Sequence, residues 1–343
     1  LMIMPKLDWT VNRESTDYQY GRLDTAAVRI SHAIEPSIFL KWKMNRVRSM
    51  DLSFAYNTTV PDLISTFGYR NTIDPLQISE GNPLLHNSHS HTTTFGYHRM
   101  WLRKQIVLGV SASYRKDINP TATLYRYNSN TGVYESKPMN VKGGDEWKFG
   151  FNYDQGLGVY FRIMNKFALS KSQSYGFLTI VDNADPQAKA DLNHQRLLGI
   201  NENLELTYET EKLSLTLFND LTLNRYRYDD ASYNSRPIYN SAGISARIKL
   251  SPVELWIRLA DDFRSGYQTS EMNGHKLMSN ASINYSFCKN KCRLALWVDD
   301  IFNKDIYYDS EYSAYQRVEN SANYLHHYMN LTFTYRFDAK SKK

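Results

Sequence analysis

Three histidines at intervals of three and two, His86, His89 and His91, form the densest group of potential metal ligands in the chain. Imidazoles spaced this way on a loop can be presented to zinc or copper. No carboxylate or cysteine stands beside them, so polar loop histidines are the preferred reading. Cys288 and Cys292 are the two cysteines, and they flank a hairpin turn, Lys289-Asn290-Lys291. The ends of a tight hairpin approach to bridging distance, and a disulfide is expected in an oxidising compartment. In a reducing one the two thiols would be an inert pair or a partial metal site. Asp261-Asp262 and Asp299-Asp300 have the composition of acid pairs, but neighbours on a strand diverge, so solvated charges at strand ends are expected. The same divergence separates His326 from His327. No nucleophile elbow, phosphate loop or zinc-protease motif is present, and neither an enzyme nor a cofactor is expected.

The formal charge of +6 and the lysines of the tail, Lys340, Lys342 and Lys343, raise the question of nucleic acid. Charge of both signs is scattered, with no basic stripe or recognition motif, and nucleic acid is set aside as a partner.

The elements that must position these groups are strands. From Leu213 to Asn224, Leu213, Leu215, Leu217, Leu221 and Leu223 fall on one face, and Ser214, Thr216, Asp220, Thr222 and Asn224 on the other. A helix cannot keep a period of two. Trp147, Phe149, Phe151 and Tyr153 repeat the pattern, as do Ile244, Ala246, Ile248 and Leu250. The opposite faces carry Lys148, Arg162, Lys166, Arg247, Lys249 and Arg258, a candidate positive lining of an internal surface. Ion pairs with acids such as Glu146 and Glu254 are an equally good reading of these cations.

Tyrosine is abundant, at 26 of 343 residues, yet the mean hydropathy is −0.55. No apolar run is long enough for a transmembrane helix. A β-barrel hides its apolar half at every second residue, so low hydropathy does not exclude a membrane. Strands of about nine to eleven residues suit a bilayer crossing better than a soluble sandwich. Tyr56, Tyr97, Trp101, Tyr114, Tyr208, Tyr226, Tyr228, Tyr285 and Tyr335 stand near strand ends, as in interfacial girdles.

Short turns near Asn45–Arg48, Trp101–Lys104, Asp154–Gly158, Thr210–Lys212, Ser251–Val253 and Phe287–Lys291 alternate with long polar loops. The loops cover Pro61–Asn87, Asp117–Lys142, Lys171–Asn193, Asp229–Pro237, Ser265–Gly274 and Asn303–Asn323. Short turns at one end and long loops at the other are the asymmetry of an outer-membrane barrel. The expected fold is all-β, a transmembrane antiparallel meander β-barrel with about 13 to 15 strands in this chain. Residues 1–36 are expected to be poorly defined strands and loop, polar between Asn12 and Gly21; 37–337 the barrel; and 338–343 a basic tail. The start, Leu1 to Pro5, has no features of a signal peptide and begins as if in mid-strand, so a longer parent chain is expected.

Gly81-Asn82-Pro83 reads as a fixed turn, with Gly81 free to take positive φ and Pro83 fixing its own. With Tyr56, Pro61, Leu63, Asp74-Pro75-Leu76 and Leu85 before an alternating strand holding Phe95 and Tyr97, it resembles a motif of TonB-dependent outer-membrane β-barrel proteins of the Bacteroidota type. Val298-Asp299-Asp300-Ile301-Phe302-Asn303-Lys304 is similar to the strand end before the last external loop of such receptors. The resemblance covers residues 37–337. It departs at Val60, where the family often has arginine, and at His86-Asn87, where it often has Pro-Glu.

The resemblance implies the C-terminal part of a barrel of roughly 22 strands. It implies an outer-membrane location and uptake of a nutrient such as a glycan, peptide or metal chelate. It also implies as partners outer-membrane lipid, a surface lipoprotein, and an energising TonB complex engaged through a plug that this chain lacks. Gly81, Asn82, Pro83 and Leu85 are then a structural marker with no catalytic role. The rival readings are a barrel that only anchors, adheres or admits solutes passively, and a secreted glycan-binding β protein.

Overall fold

The computed structural model describes residues 1–20, 23–177, 180–182, 191–304, 307–314, 316–322 and 325–337. The lysine-rich tail, 338–343, lies outside them. The chain runs through β1 (Met2–Tyr20), β2 (Leu23–Asn45) and β3 (Arg48–Thr59), then two short strands, β4 (Arg70–Asp74) and β5 (Gln77–Glu80). β6 (Ser88–Trp101) and β7 (Ile106–Ile118) precede a second pair, β8 (Thr121–Asn128) and β9 (Val133–Asn140). Next come β10 (Asp145–Leu157), β11 (Phe161–Phe177), β12 (Ile180–Asp182), β13 (Leu192–Glu209) and β14 (Leu213–Arg227). β15 (Ile238–Leu250), β16 (Val253–Ser265), β17 (Gly274–Phe287) and β18 (Cys292–Asp299) continue the series. A hairpin, β19 (Tyr307–Tyr312) and β20 (Arg317–Ala322), precedes the last strand, β21 (Tyr328–Tyr335).

Fourteen of these strands form one antiparallel sheet in the order β1-β2-β3-β6-β7-β10-β11-β13-β14-β15-β16-β17-β18-β21, within the expected range. Each strand pairs with the next wall strand of the chain, which is the meander that short turns favour. Side chains close some of these turns. Asn45 Oδ1 accepts from the Val47 amide at 3.0 Å, and Thr210 Oγ1 accepts from the Leu213 amide at 3.0 Å. β1 and β21 are the two edges and do not pair with each other among the described residues.

Register fixes which residues share a face. Leu52 stands opposite Phe95, Phe95 opposite Ala112, Ala112 opposite Phe149, and Phe149 opposite Leu169, so one face is apolar across the wall. Its side chains are open to the surroundings: Leu217 is 49% exposed and Ile257 46%. In water such a surface would drive association, whereas in a bilayer it is the expected outer face. Ala33, Phe218, Ser241 and Ala260 are buried on the opposite, inner face.

Four expectations change. Residues 12–20 are strand, because β1 pairs with β2 without a break from Met2↔Lys41 to Tyr20↔Leu23. The turn placed at Asp154–Gly158 falls after Leu157, with Gly158 at φ 71° and Val159 exposed. β11 continues to Phe177, so much of the supposed Lys171–Asn193 loop is wall. Nor are all the long loops irregular. β4, β5, β8, β9 and β12 unite three of them in a five-stranded sheet of order β12-β8-β9-β5-β4. Their backbone groups are thereby paired instead of being left to solvent.

Candidate functional site

The inner face and the long-loop end are the surfaces able to handle a ligand, since the outer face is apolar. All six cations expected on the inner face lie on it by register. Lys148 Nζ is 2.9 Å from Glu146, Arg162 Nε donates to Asp154 at 2.7 Å, and Arg247 is 3.7 Å from Glu254. These pairs cancel part of the positive lining. Arg258 lies 4.0 Å over the buried Phe218 ring, a cation–π contact. Phe218 in turn fills the space above Gly243, where a Cβ would come within 2.7 Å of the ring and 2.2 Å of the Leu259 carbonyl. Lys166 opens on an inner recess of about 350 Å³ with Asn152, Asn203 and Asp220, and Lys249 lies nearer the short turns. Gly96, Ser111, Gly150, Ala168, Asn201 and Thr222 follow one another across six neighbouring strands, so the inner wall is low and polar there.

Gly81-Asn82-Pro83 sits where the loop sheet meets the wall. Gly81 is not in the positive-φ region. Its constraint is proximity: a Cβ would lie 1.7 Å from the Phe67 carbonyl oxygen, so only glycine fits. Asn82 is buried, and its amide donates to Ser65 O at 2.7 Å while Nδ2 donates to Pro138 O at 2.8 Å. Its Oδ1 accepts from the Leu84 amide at 3.0 Å. Pro83 packs 3.4 Å from the position a Cβ would take at Gly68. The motif thus ties the segment around Ser65, the β8–β9 hairpin and the start of β6 together.

At the same end, on the far side of the wall, Tyr228, Tyr233, Tyr267, Arg236, Gln268 and Arg317 line an open cavity of about 1140 Å³. One of its walls is the β19–β20 hairpin, held by Glu319. This carboxylate accepts from the amides of Thr269 at 2.8 Å and Gln268 at 3.2 Å, from the Tyr312 hydroxyl at 2.9 Å and from Arg317 Nε at 2.8 Å. Burial opposes its ionisation, but the Thr269 amide, Arg317, the Gln268 amide and Tyr312 outweigh it and hold the carboxyl at about 2. The Tyr312 ring stacks on Tyr226 at 4.4 Å, and the Tyr228 hydroxyl accepts from Gln195 Nε2 at 2.8 Å. Tyr226 and Tyr228 therefore face inward and leave the girdle assigned to them, because they share the parity of Asp220 and Thr222.

The model of the outer membrane protein beta-barrel family matches residues 31–335, from within β2 to the end of β21. The chain belongs to that family. It is a multi-pass barrel protein of the outer membrane. No curated protein sequence matches it. Among solved structures it is similar to a point mutant of the ferric enterobactin receptor PfeA from Pseudomonas aeruginosa. The TM-score is 0.52 at 10% identity, over 86% of this chain and 43% of that one. The siderophore receptor PirA from Acinetobacter baumannii is matched with a TM-score of 0.45 at 10% identity, over 97% of this chain and 60% of that one. The chain spans less than two thirds of either receptor, and at this identity the likeness is one of fold.

In this barrel protein the remaining sequence candidates are structural. His89 and His91 point outward to the membrane interface, stacked on Tyr56 at 5.5 Å and Phe54 at 6.4 Å. His91 also meets Tyr114 at 6.0 Å, and Tyr114 meets Trp147 at 4.4 Å, so the imidazole belongs to an aromatic belt. His86 stands apart in a turn, its backbone bonded to Asn140 at 2.8 and 3.1 Å. No group of three metal-binding side chains exists among the described residues. The expected disulfide is not formed: Cys288 and Cys292 are free. The hairpin pairs Phe287 with Cys292, leaving Cys288 within a left-handed turn at φ 53°. Asp300 is not a solvated rim charge but 2% exposed, in a turn at φ 42°. His326 and His327 converge on that turn because they precede β21: His326 Nε2 is 2.9 Å from Asn303 Oδ1, and His327 Nδ1 is 2.8 Å from Asp300 O.

Proposed function

We propose that this chain is the C-terminal wall of a TonB-dependent receptor that captures a nutrient in its external loops and passes it through the lumen. The observation that carries this reading is the cavity of about 1140 Å³ at the long-loop end, beside a low, polar inner wall. Tyrosine rings offer flat faces and hydroxyls, amides offer donors and acceptors, and Arg236 offers charge. This chemistry suits a polar ligand bearing hydroxyl and anionic groups, such as a glycan, peptide or metal chelate. The wall closes against further strands, and an energising complex acts through a plug supplied elsewhere in the parent protein.

The test is growth of a strain lacking the full-length gene on single sources of glycan, peptide or chelated iron. Loss of growth on one class is expected, restored by the wild-type gene but not by Tyr233→Ala/Arg236→Ala, and abolished in the wild type when the inner-membrane energy coupling is removed. Unimpaired growth on every source would leave the anchoring role as the better reading.

A further inference from the structure

The outer face should stay apolar until it reaches the headgroups, and at the long-loop end of β10, β11, β13 and β14 it changes sharply. Lys171, Arg196, Arg225 and Arg227 point outward there, by the same parity that turns Phe149, Leu198 and Leu223 to lipid. Register gathers them. Arg227 stands opposite Arg196, Arg225 opposite Leu198, and Leu198 opposite Lys171, whose other neighbour is Trp147. Together they line an outward recess of about 570 Å³.

Its charge is only partly compensated, although Asp145 also lines it. Arg196 has Asp229 at 3.7 Å, and Asp145, which also accepts from Gln173, lies 3.9 Å from Lys116. Lys171, Arg225 and Arg227 make no ion pair among the described residues. Like charges held together beside a low-dielectric medium are unfavourable unless a counter-anion joins them. In addition, Arg225 Nε is buried without a hydrogen-bond partner, a costly state that an anionic oxygen would relieve. Guanidinium forks match phosphate geometry, and Lys171 adds a point charge.

Depth identifies the anion's source. Lys171 is in register with Trp147 of the Trp147–Tyr114 aromatic pair, and along their strands Arg196 and Arg227 lie two residues farther toward the loops than Leu198 and Arg225. At a rise of about 3.3 Å per residue and a tilt of about 40°, the step from Leu198 to Tyr208 near the opposite rim climbs about 25 Å, the height of an outer-membrane apolar band. Arg196 and Arg227, beyond Leu198, therefore meet the phosphate layer of the outer leaflet, and Lys171 and Arg225, in register with Trp147 and Leu198, reach toward it from the edge of the acyl chains. We propose that this recess binds the phosphate groups of a phosphorylated outer-leaflet lipid through Lys171, Arg196, Arg225 and Arg227. It does not depend on transport.

The test is native mass spectrometry of the full-length protein in detergent, titrated with diphosphoryl lipid A and with the same lipid stripped of both phosphates. The diphosphoryl form is expected to be retained about tenfold more strongly. Arg225→Gln/Arg227→Gln should lose that preference and Arg225→Lys/Arg227→Lys keep most of it, each with the heat-modifiable gel mobility of an assembled barrel. If the glutamine pair fails to assemble, the exposed Lys171→Gln carries the same comparison. Equal retention of the two lipids, or an unchanged preference in the variants, would overturn the proposal. So would displacement of the lipid by millimolar inorganic phosphate alone, which would assign the recess to a free anion. Occupation of the recess by a copurifying polypeptide, lost in the glutamine pair, would make it a protein interface instead.

Discussion

Glu319 decides whether the wall of the external cavity holds. Its carboxyl sits at about 2 when latched, against an ordinary value of 4.5 when the loop is free. The latch is thus at full strength above about 4.5 and lost as the pH falls through about 2, a difference of about 3 kcal/mol. Amide exchange at Gln268 and Thr269, corrected for intrinsic rates, should be strongly protected near neutral pH and become unprotected in strong acid. Glu319→Gln should remove both the protection and its pH dependence; protection unchanged by that substitution would refute the latch. The residue was not legible as a site in the sequence. Arg317 and Glu319 share a strand face, but their partners Gln268 and Thr269 are about fifty residues away. Gly81 shows the same limit: the sequence marks it as special, and the contact with Phe67 that makes it so is tertiary.

At the scale of the strand, the alternation that identified the wall also assigns its faces, and this can be checked directly. Ile257 on β16 points to lipid, while Ala168 on β11 points to the lumen between Gly150 and Asn201, where the inner wall is low. Ile257→Arg should destabilise the full-length barrel in lipid vesicles by about 2 to 4 kcal/mol, and Ala168→Arg by less than about 1 kcal/mol. Denaturant titration measures both, and equal costs would mean that the faces are wrongly assigned. Local periodicity made most wall strands readable, including β14 and β21. It failed at the external ends, where β1, β2 and β11 run past the membrane and polar composition resembles loop. Tyr226 and Tyr228 depart from the girdle for a related reason: a tyrosine near a strand end fits a girdle equally well from either face, and parity alone tells the two apart.

The whole wall has two edges, β1 and β21, with no partner for their outer backbone groups among the described residues. Unpaired peptide groups are not tolerated in the hydrocarbon layer. In the full-length protein in a bilayer, the edge-facing amides of both strands should exchange as slowly as those of β13 and β14. Rapid exchange confined to the edges would show an unclosed sheet. The sequence by itself determined the all-β wall, its apolar and polar faces and the alternation of short and long connections, because a period of two and turn composition are properties of neighbouring residues. Only the tertiary structure decided that three external loops share a sheet, that Asp300 is buried, and that Lys171, Arg196, Arg225 and Arg227 meet on one patch. Those outcomes depend on register between strands far apart in the chain, and a shift of one residue would turn each of those side chains to the other face.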